Sequence, residues 1–288
     1  MVKKVLFGKL FLSFAMVAGL LVPSLVYANG PRYSVGLGFQ FASGDYGTGY
    51  RTNSVYAPFT AAIYPTDRVD VSLEIPFLYQ STSSVVAGVF TGANSQSAGS
   101  QTMMSSMDGS SMTSGSMTTA SSQTVTNTQS GLGDVKLRAG YVIYTEEKYV
   151  PAIRPSITVK FPTADKNKFL GTGAFDECFA VELTKWFGRW FADGEAGYNL
   201  QGKSTVIAVR NYLSYYAGGG YQLSERWRPM LLLKGNTPSV EGGTAQMEAR
   251  LQVRHQLTNS VGIDGYLSKG MTSTSPDYGT GLSVSYDF

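Results

Sequence analysis

The chain has 288 residues, of which 43% are hydrophobic and only 15% charged, with a formal net charge of +3. Without residues 1–28, which read as a leader, Lys3, Lys4 and Lys9 are lost and no acid goes with them, so the 23 basic residues fall to 20 against 20 acidic ones. That balance excludes a nucleic-acid surface built on a basic surplus, and the single cysteine, Cys178, excludes an intramolecular disulfide.

Lys3 and Lys4 precede an apolar run from Leu10 to Leu21 that only Ser13 and Gly19 interrupt, and Val26-Tyr27-Ala28 supplies small or medium residues at a cleavage site. This is the pattern of a secretory signal peptide covering residues 1–28. A membrane anchor would need an apolar run of ~20 residues. Asn29, not cysteine, follows the expected cut, so no lipid-anchored N-terminus is indicated. Residues 29–288 are expected to form one domain.

After the leader, short runs alternate with period two, which puts one face of each in apolar and the other in polar surroundings. Twelve strands are expected, near 32–43, 53–64, 68–80, 131–144, 150–162, 175–187, 190–201, 210–223, 226–236, 244–257, 260–270 and 278–288. In the third, Val69, Val71, Leu73, Ile75, Phe77 and Tyr79 alternate with Arg68, Asp70, Ser72 and Glu74. The tenth is as regular: Ala245, Met247, Ala249, Leu251 and Val253 oppose Gln246, Glu248, Arg250, Gln252 and Arg254. Short connections (65–67, a slightly longer 145–149, 188–189, 224–225, 258–259) alternate with long ones (44–52, 81–130, 163–174, 202–209, 237–243, 271–277). Short turns on one rim and long loops on the other define an all-β, antiparallel up-and-down transmembrane barrel of the outer membrane. A soluble β-sandwich would also alternate. It would not gather Tyr64, Tyr144, Trp186, Phe187, Trp190, Trp227, Tyr286 and Phe288 at one rim as a membrane-interface girdle.

By parity the interior receives Asp70 and Glu74 from the third strand, Asp134, Lys136 and Arg138 from the fourth, and Arg154 and Lys160 from the fifth. Glu182 comes from the sixth, Asp193 and Glu195 from the seventh, and Arg226, Arg228 and Lys234 from the ninth. Glu248, Arg250 and Arg254 follow from the tenth and Asp264 from the eleventh. Two readings stand side by side. The basic excess at Arg226/Arg228 and Arg250/Arg254 could form a positive constriction favouring anions or polarised solutes, or the charges could pair off and plug a narrow barrel. The last strand carries Thr280, Leu282, Val284, Tyr286 and Phe288 on one face. Its terminal aromatic resembles the signal that outer-membrane proteins offer the barrel-assembly machinery, an amphipathic edge open to β-augmentation. The expected partners are therefore outer-membrane lipid, that machinery and a small-molecule solute, with no nucleic acid.

The phrases YPTDRVDVSLEIPFLYQ, SGLGDVKLRAGYVIY, SITVKFPTADKNKFLGTG and FGRWFADGEAGYNLQGK resemble an outer-membrane transporter family labelled "meta-pathway of phenol degradation". The matching positions are Thr66, Asp67 and Arg68; Pro76 and Phe77; Gly131, Leu132, Gly133 and Asp134; and Lys160, Pro162, Thr163 and Asp165. Ala164 stands where the family has glycine, and the 81–130 insertion departs from the pattern. The resemblance runs from Tyr64 to Gly202 and more loosely to Phe288. It implies an outer-membrane channel or uptake protein for small solutes, aromatic compounds among them, by passive diffusion.

Other features carry less. Met103, Met104, Met107, Met112 and Met117 could offer soft thioether ligands to Cu(I) or Ag(I), but their Ser/Thr/Gly background fits a low-complexity segment better. That loop supports an alternative function, a non-transporting structural or adhesion barrel acting outside the cell. His255 takes the apolar parity beside a short turn and reads as interfacial packing, with no Ser–His arrangement for an enzyme. Cys178 reads as a small lumen residue. No phosphate loop or zinc spacing is present, and no cofactor is expected.

Overall fold

The computed structural model describes residues 32–46, 51–81, 128–205 and 208–288. The leader, the five loop methionines and most of the 81–130 insertion lie outside the described residues. The strand segments are β1 (Arg32–Gly44), β2 (Thr52–Thr66), β3 (Val69–Gln80), β4 (Gln129–Leu132), β5 (Val135–Tyr141), β6 (Ala152–Phe161) and β7 (Asp176–Phe187), followed by β8 (Trp190–Gln201), β9 (Tyr212–Tyr221), β10 (Trp227–Asn236), β11 (Gln246–Gln256), β12 (Val261–Gly270) and β13 (Tyr278–Asp287).

All pairings are antiparallel, and the sheet closes: β1 pairs with both β2 and β13, and β2 pairs with β3. Both β4 and β5 pair with β3, at Phe77–Gln80 and at Val69–Glu74, so they are two lengths of one wall strand broken at Gly133-Asp134. The ring therefore has twelve strands, as the alternation predicts. The break is kept satisfied locally. Gly133 N–H donates to Pro76 O at 2.8 Å, while Thr163 Oγ1 accepts from Val135 N–H and donates to Gly133 O. The predicted fourth strand runs two residues further at its start and ends at Tyr141, short of the expected 144; Tyr144 keeps only an isolated bridge to Ile153.

The short turns use one device repeatedly. Thr66 Oγ1 accepts from the N–H groups of Arg68 and Val69, Ser224 Oγ from those of Arg226 and Trp227, and Thr258 Oγ1 from those of Ser260 and Val261. A hydroxyl that bonds its own backbone two or three residues on stabilises a tight reversal. The fourth turn uses Gly188 instead, at φ +66°, the positive φ that two-residue hairpin turns require.

Outward residues are apolar and exposed: Leu37, Phe39, Phe59, Leu231, Leu251, Leu267 and Leu282 among them. Inward ones include buried Asp, Glu, Lys and Arg. This is the reverse of a protein whose solvent is water, and it rules out the sandwich. The 12 residues of β3 at ~3.3 Å each extend about 40 Å, and a tilt of ~40° leaves about 30 Å along the membrane normal, enough for an apolar band ~25 Å tall. Closure matters because each unpaired backbone group costs several kcal/mol in hydrocarbon. Among the described residues no helix is long and apolar enough to cross a membrane; the strands cross it. At the short-turn rim Tyr144, Phe187, Trp190, Trp227, Tyr286 and Phe288 are exposed as a girdle, with ring pairs Trp190–Tyr221 and Tyr286–Phe288 both at 4.8 Å. Two expected girdle members do not join it. Tyr64 and Trp186 lie on the inward parity of β2 and β7, and Tyr64 is buried.

Candidate functional site

The interior wall is the site the sequence points to. Of the predicted lumen residues, Asp70, Glu74, Asp134, Lys136, Arg138, Lys160, Glu182, Asp193, Glu195, Lys234, Glu248, Arg250 and Asp264 are buried inside the ring. Arg154, Arg228 and Arg254 are half-buried, and Arg226 is exposed in the turn before β10, one residue short of the strand. The structure thus moves Arg226 from the lumen to the rim.

On the arc from β3 to β8 these charges interlock. Arg154 on β6 bridges two strands, donating to both oxygens of Asp70 on β3 at 2.9 and 2.5 Å and to Glu182 on β7 at 2.8 Å. Arg138 on β5 reaches Glu195 on β8 at 2.6 Å. Lys136 donates to Glu74 at 2.9 Å, and Tyr56 donates to the same carboxylate. Lys160 lies 3.0 Å from Asp134 and 2.6 Å from Asp176, and donates to Thr172. Contacts that skip strands, such as Arg138 to Glu195, require the side chains to cross lumen space on this side of the ring.

Sequence parity also places aromatic and apolar groups inside, although their hydrophobicity argues for the lipid face. Phe191, Tyr216, Met230 and Leu232 form a buried cluster with Trp186 packed against it. Arg228 stacks over Trp186 at 5.2 Å and over Phe191 at 5.9 Å, a cation on the face of a ring. Tyr216 donates to Asp193 at 3.2 Å. Arg250, paired to Glu248 at 2.8 Å, lies 3.7 Å above the ring of Tyr266, whose hydroxyl donates to Gln40. The signal for these residues was present: Phe191 shares parity with Asp193 and Glu195, and Tyr266 with Asp264.

At the long-loop end two of the described segments fold inward. After β6 the chain turns in, and Ala164 N–H donates to Asp134. Asp165 caps a short 3-10 helix, Lys166–Lys168. Leu170, 1% exposed, then packs against Tyr56, Leu78, Ala42 and Tyr46. Ser204 Oγ donates to Thr172 O at 2.7 Å, tying the segment to the next loop. Burial pushes the Tyr46 phenol up to about 12, so it stays protonated at this cap. On the other side Thr274 and Ser275 are buried, held by Gln246 Nε2 donating to Thr274 O. Cys178 is buried on the inward face, and His255 stacks on Trp227 at 4.0 Å on the outward pair of β10 and β11, both as parity predicts.

A closed antiparallel ring, apolar outside and charged inside, with an aromatic girdle at its short-turn rim, defines an outer-membrane β-barrel. The chain belongs to the family described as "Putative MetA-pathway of phenol degradation", whose model matches residues 92–288. Among solved structures it is similar to an outer membrane channel from Pseudomonas putida F1, with 13% identity, 93% of this chain and 100% of that one covered, and a TM-score of 0.63. It is also similar to the KdgM porin, with 7% identity, 88% and 99% coverage and a TM-score of 0.51. At these identities the likeness concerns the fold. No curated protein matches the sequence significantly.

Proposed function

We propose that the barrel is a narrow outer-membrane channel through which small solutes diffuse passively, and that hydrophobic or aromatic compounds are among them. The supporting observation is the uneven packing of the interior. A barrel serving only as a scaffold would gain by filling its core throughout, yet inward-facing Thr60, Ala62, Arg228, Arg254 and Ser283 remain half-buried, whereas of the predicted lumen charges on the β3–β8 arc all but Arg154 are buried. Polar side chains beside accessible space are what a diffusion path needs. The in-folded Leu170 segment makes the opening restrictive, unlike that of a wide porin. The family's description, phenol degradation, supports aromatic solutes.

The same reading takes residues 1–28 as a cleaved leader and β13 with Phe288 as the strand presented to the assembly machinery. N-terminal sequencing of protein recovered from outer membranes should begin at Asn29. The channel itself is tested by reconstituting the mature protein in planar bilayers and in liposomes loaded for swelling assays with small aromatic acids. Small, stable conductance steps and aromatic flux above that of protein-free membranes are expected. No current and no flux at high protein load would overturn the reading.

A further inference from the structure

The interior differs around the ring in a way that the charges alone do not reveal. On the β3–β8 arc even the smallest inward side chains are covered: Ser72 is 3% exposed and Ala180 6%. On the arc made by β13, β1 and β2, inward-facing Thr60, Ala62 and Ser283 are half-buried beside Gly36, Gly38 and Gly281, while Ser34 and Ser285 nearer the short-turn rim and Gln40 and Tyr56 further up are buried. Small size does not explain that exposure, because Ser72 and Ala180 are equally small. What differs is the layer above them: the ion pairs of Arg154, Arg138, Lys136 and Lys160 cross the β3–β8 arc, and Thr60, Ala62 and Ser283 lie outside those pairs.

This uncovered strip has two marked ends. Towards the short-turn rim the Arg254 guanidinium lies over the β12 wall, 3.5 Å from where a Cβ on Gly262 would stand. Further up, the ring of Tyr266 lies on Gly281, so close that a Cβ there would come within 2.3 Å of it, and Arg250 stacks on the other side of the ring. Tyr266 thus reaches across the strip above Ser283, and it is held there by Gln40.

We propose that the solute path runs off the barrel axis, along the β13–β1–β2 wall, with the Tyr266–Arg250 stack as its constriction. The proposal rests on the channel reading above. Two guanidinium groups and a ring along the strip suit small, flat solutes carrying a hydrogen-bond acceptor, since guanidinium groups only donate.

The test uses single cysteines in a Cys178→Ala background, reconstituted in liposomes and reacted with a charged, membrane-impermeant methanethiosulfonate. Heat-modifiable electrophoretic migration establishes that each variant is folded. Thr60→Cys, Ala62→Cys and Ser283→Cys should be modified at least tenfold faster, by intact mass, than Ser72→Cys, Ser156→Cys and Thr184→Cys. Modification at Thr60→Cys or Ser283→Cys should cut the conductance, and Tyr266→Ala should raise it. A barrel that conducts but labels evenly on both arcs, or whose current ignores modification at Thr60→Cys and Ser283→Cys, overturns the off-axis path alone. A barrel that labels in the expected pattern but passes no current overturns the channel reading, and leaves only a blind vestibule.

Discussion

Arg154 offers the sharpest test of the packed arc. Its guanidinium donates to Asp70 twice and to Glu182 once, and its side chain is 12% exposed against 9% and 3% for its partners. Replacing it by methionine keeps most of the side-chain bulk but leaves two carboxylates buried without their shared cation. Breaking a buried pair from one side typically costs about 3–5 kcal/mol, most of it the penalty on the partner left behind. Two stranded carboxylates push Arg154→Met towards the upper end, and the small residual exposure pulls it back. Neutralising the partners as well, in Arg154→Met/Asp70→Asn/Glu182→Gln, removes the uncompensated charge and should recover most of the loss, to within about 2 kcal/mol of the parent. The assay is urea unfolding of the barrel refolded in lipid vesicles, followed by the fluorescence of its 3 tryptophans. If Arg154→Met lies within about 1 kcal/mol of the parent, or the triple variant is no more stable than the single one, the bridge is solvent-screened and the packed-arc reasoning fails.

Other perturbations separate local from global effects. Gly188→Ala should cost about 1 kcal/mol in the same unfolding assay, from positive φ alone, because a Cβ there meets nothing within 4 Å. Leu170→Ala should lower stability by about 2–5 kcal/mol and raise single-channel conductance, since it removes the apolar stopper at the long-loop end. Deleting residues 83–127 should leave conductance equal or higher; an adhesion barrel would instead lose binding to cells or surfaces while showing no current.

Parity made much of this structure legible. Period two in the sequence named the twelve strands with their faces, and ends shifted by no more than about three residues, because a one-residue slip in a barrel would turn charges to lipid. Where parity and hydrophobicity disagreed, parity was right: Tyr64 and Trp186 face inward despite being aromatic and near the rim. Arg226 shows the limit of the rule, since alternation says nothing about where a strand starts. The inward fold of 163–175 was not legible at all. It depends on contacts distant in sequence, Asp134 with Ala164 and Leu170 with Tyr56, that no local pattern encodes. For the same reason parity could place charges of both signs inside but could not say which would pair.

The glycines connect packing to the open strip. Inside this barrel a glycine is commonly a seat: Phe191 lies on Gly220, Tyr266 on Gly281 and Arg154 on Gly140, each close enough that a Cβ would collide with it. A ring laid over a glycine covers backbone that would otherwise be bare, and pins the ring in one orientation. Gly36 and Gly38 are different. The atoms nearest a Cβ there belong to Thr60 and Val284 for Gly36 and to Pro58 and Ser283 for Gly38, on the strands either side in the wall. The same residue type therefore does opposite things on the two sides of the ring, because what matters is whether the neighbouring strand supplies a long side chain at the facing position. β6, β8 and β12 supply Arg154, Phe191 and Tyr266. β2 and β13 supply Thr60 and Ser283, and the strip stays open. Building bulk into that strip, for example Ser283→Phe beside Gly38, should close it without touching any ion pair. Conductance should then fall while urea stability changes by less than the Arg154→Met loss, and an unchanged current would place the path elsewhere in the lumen.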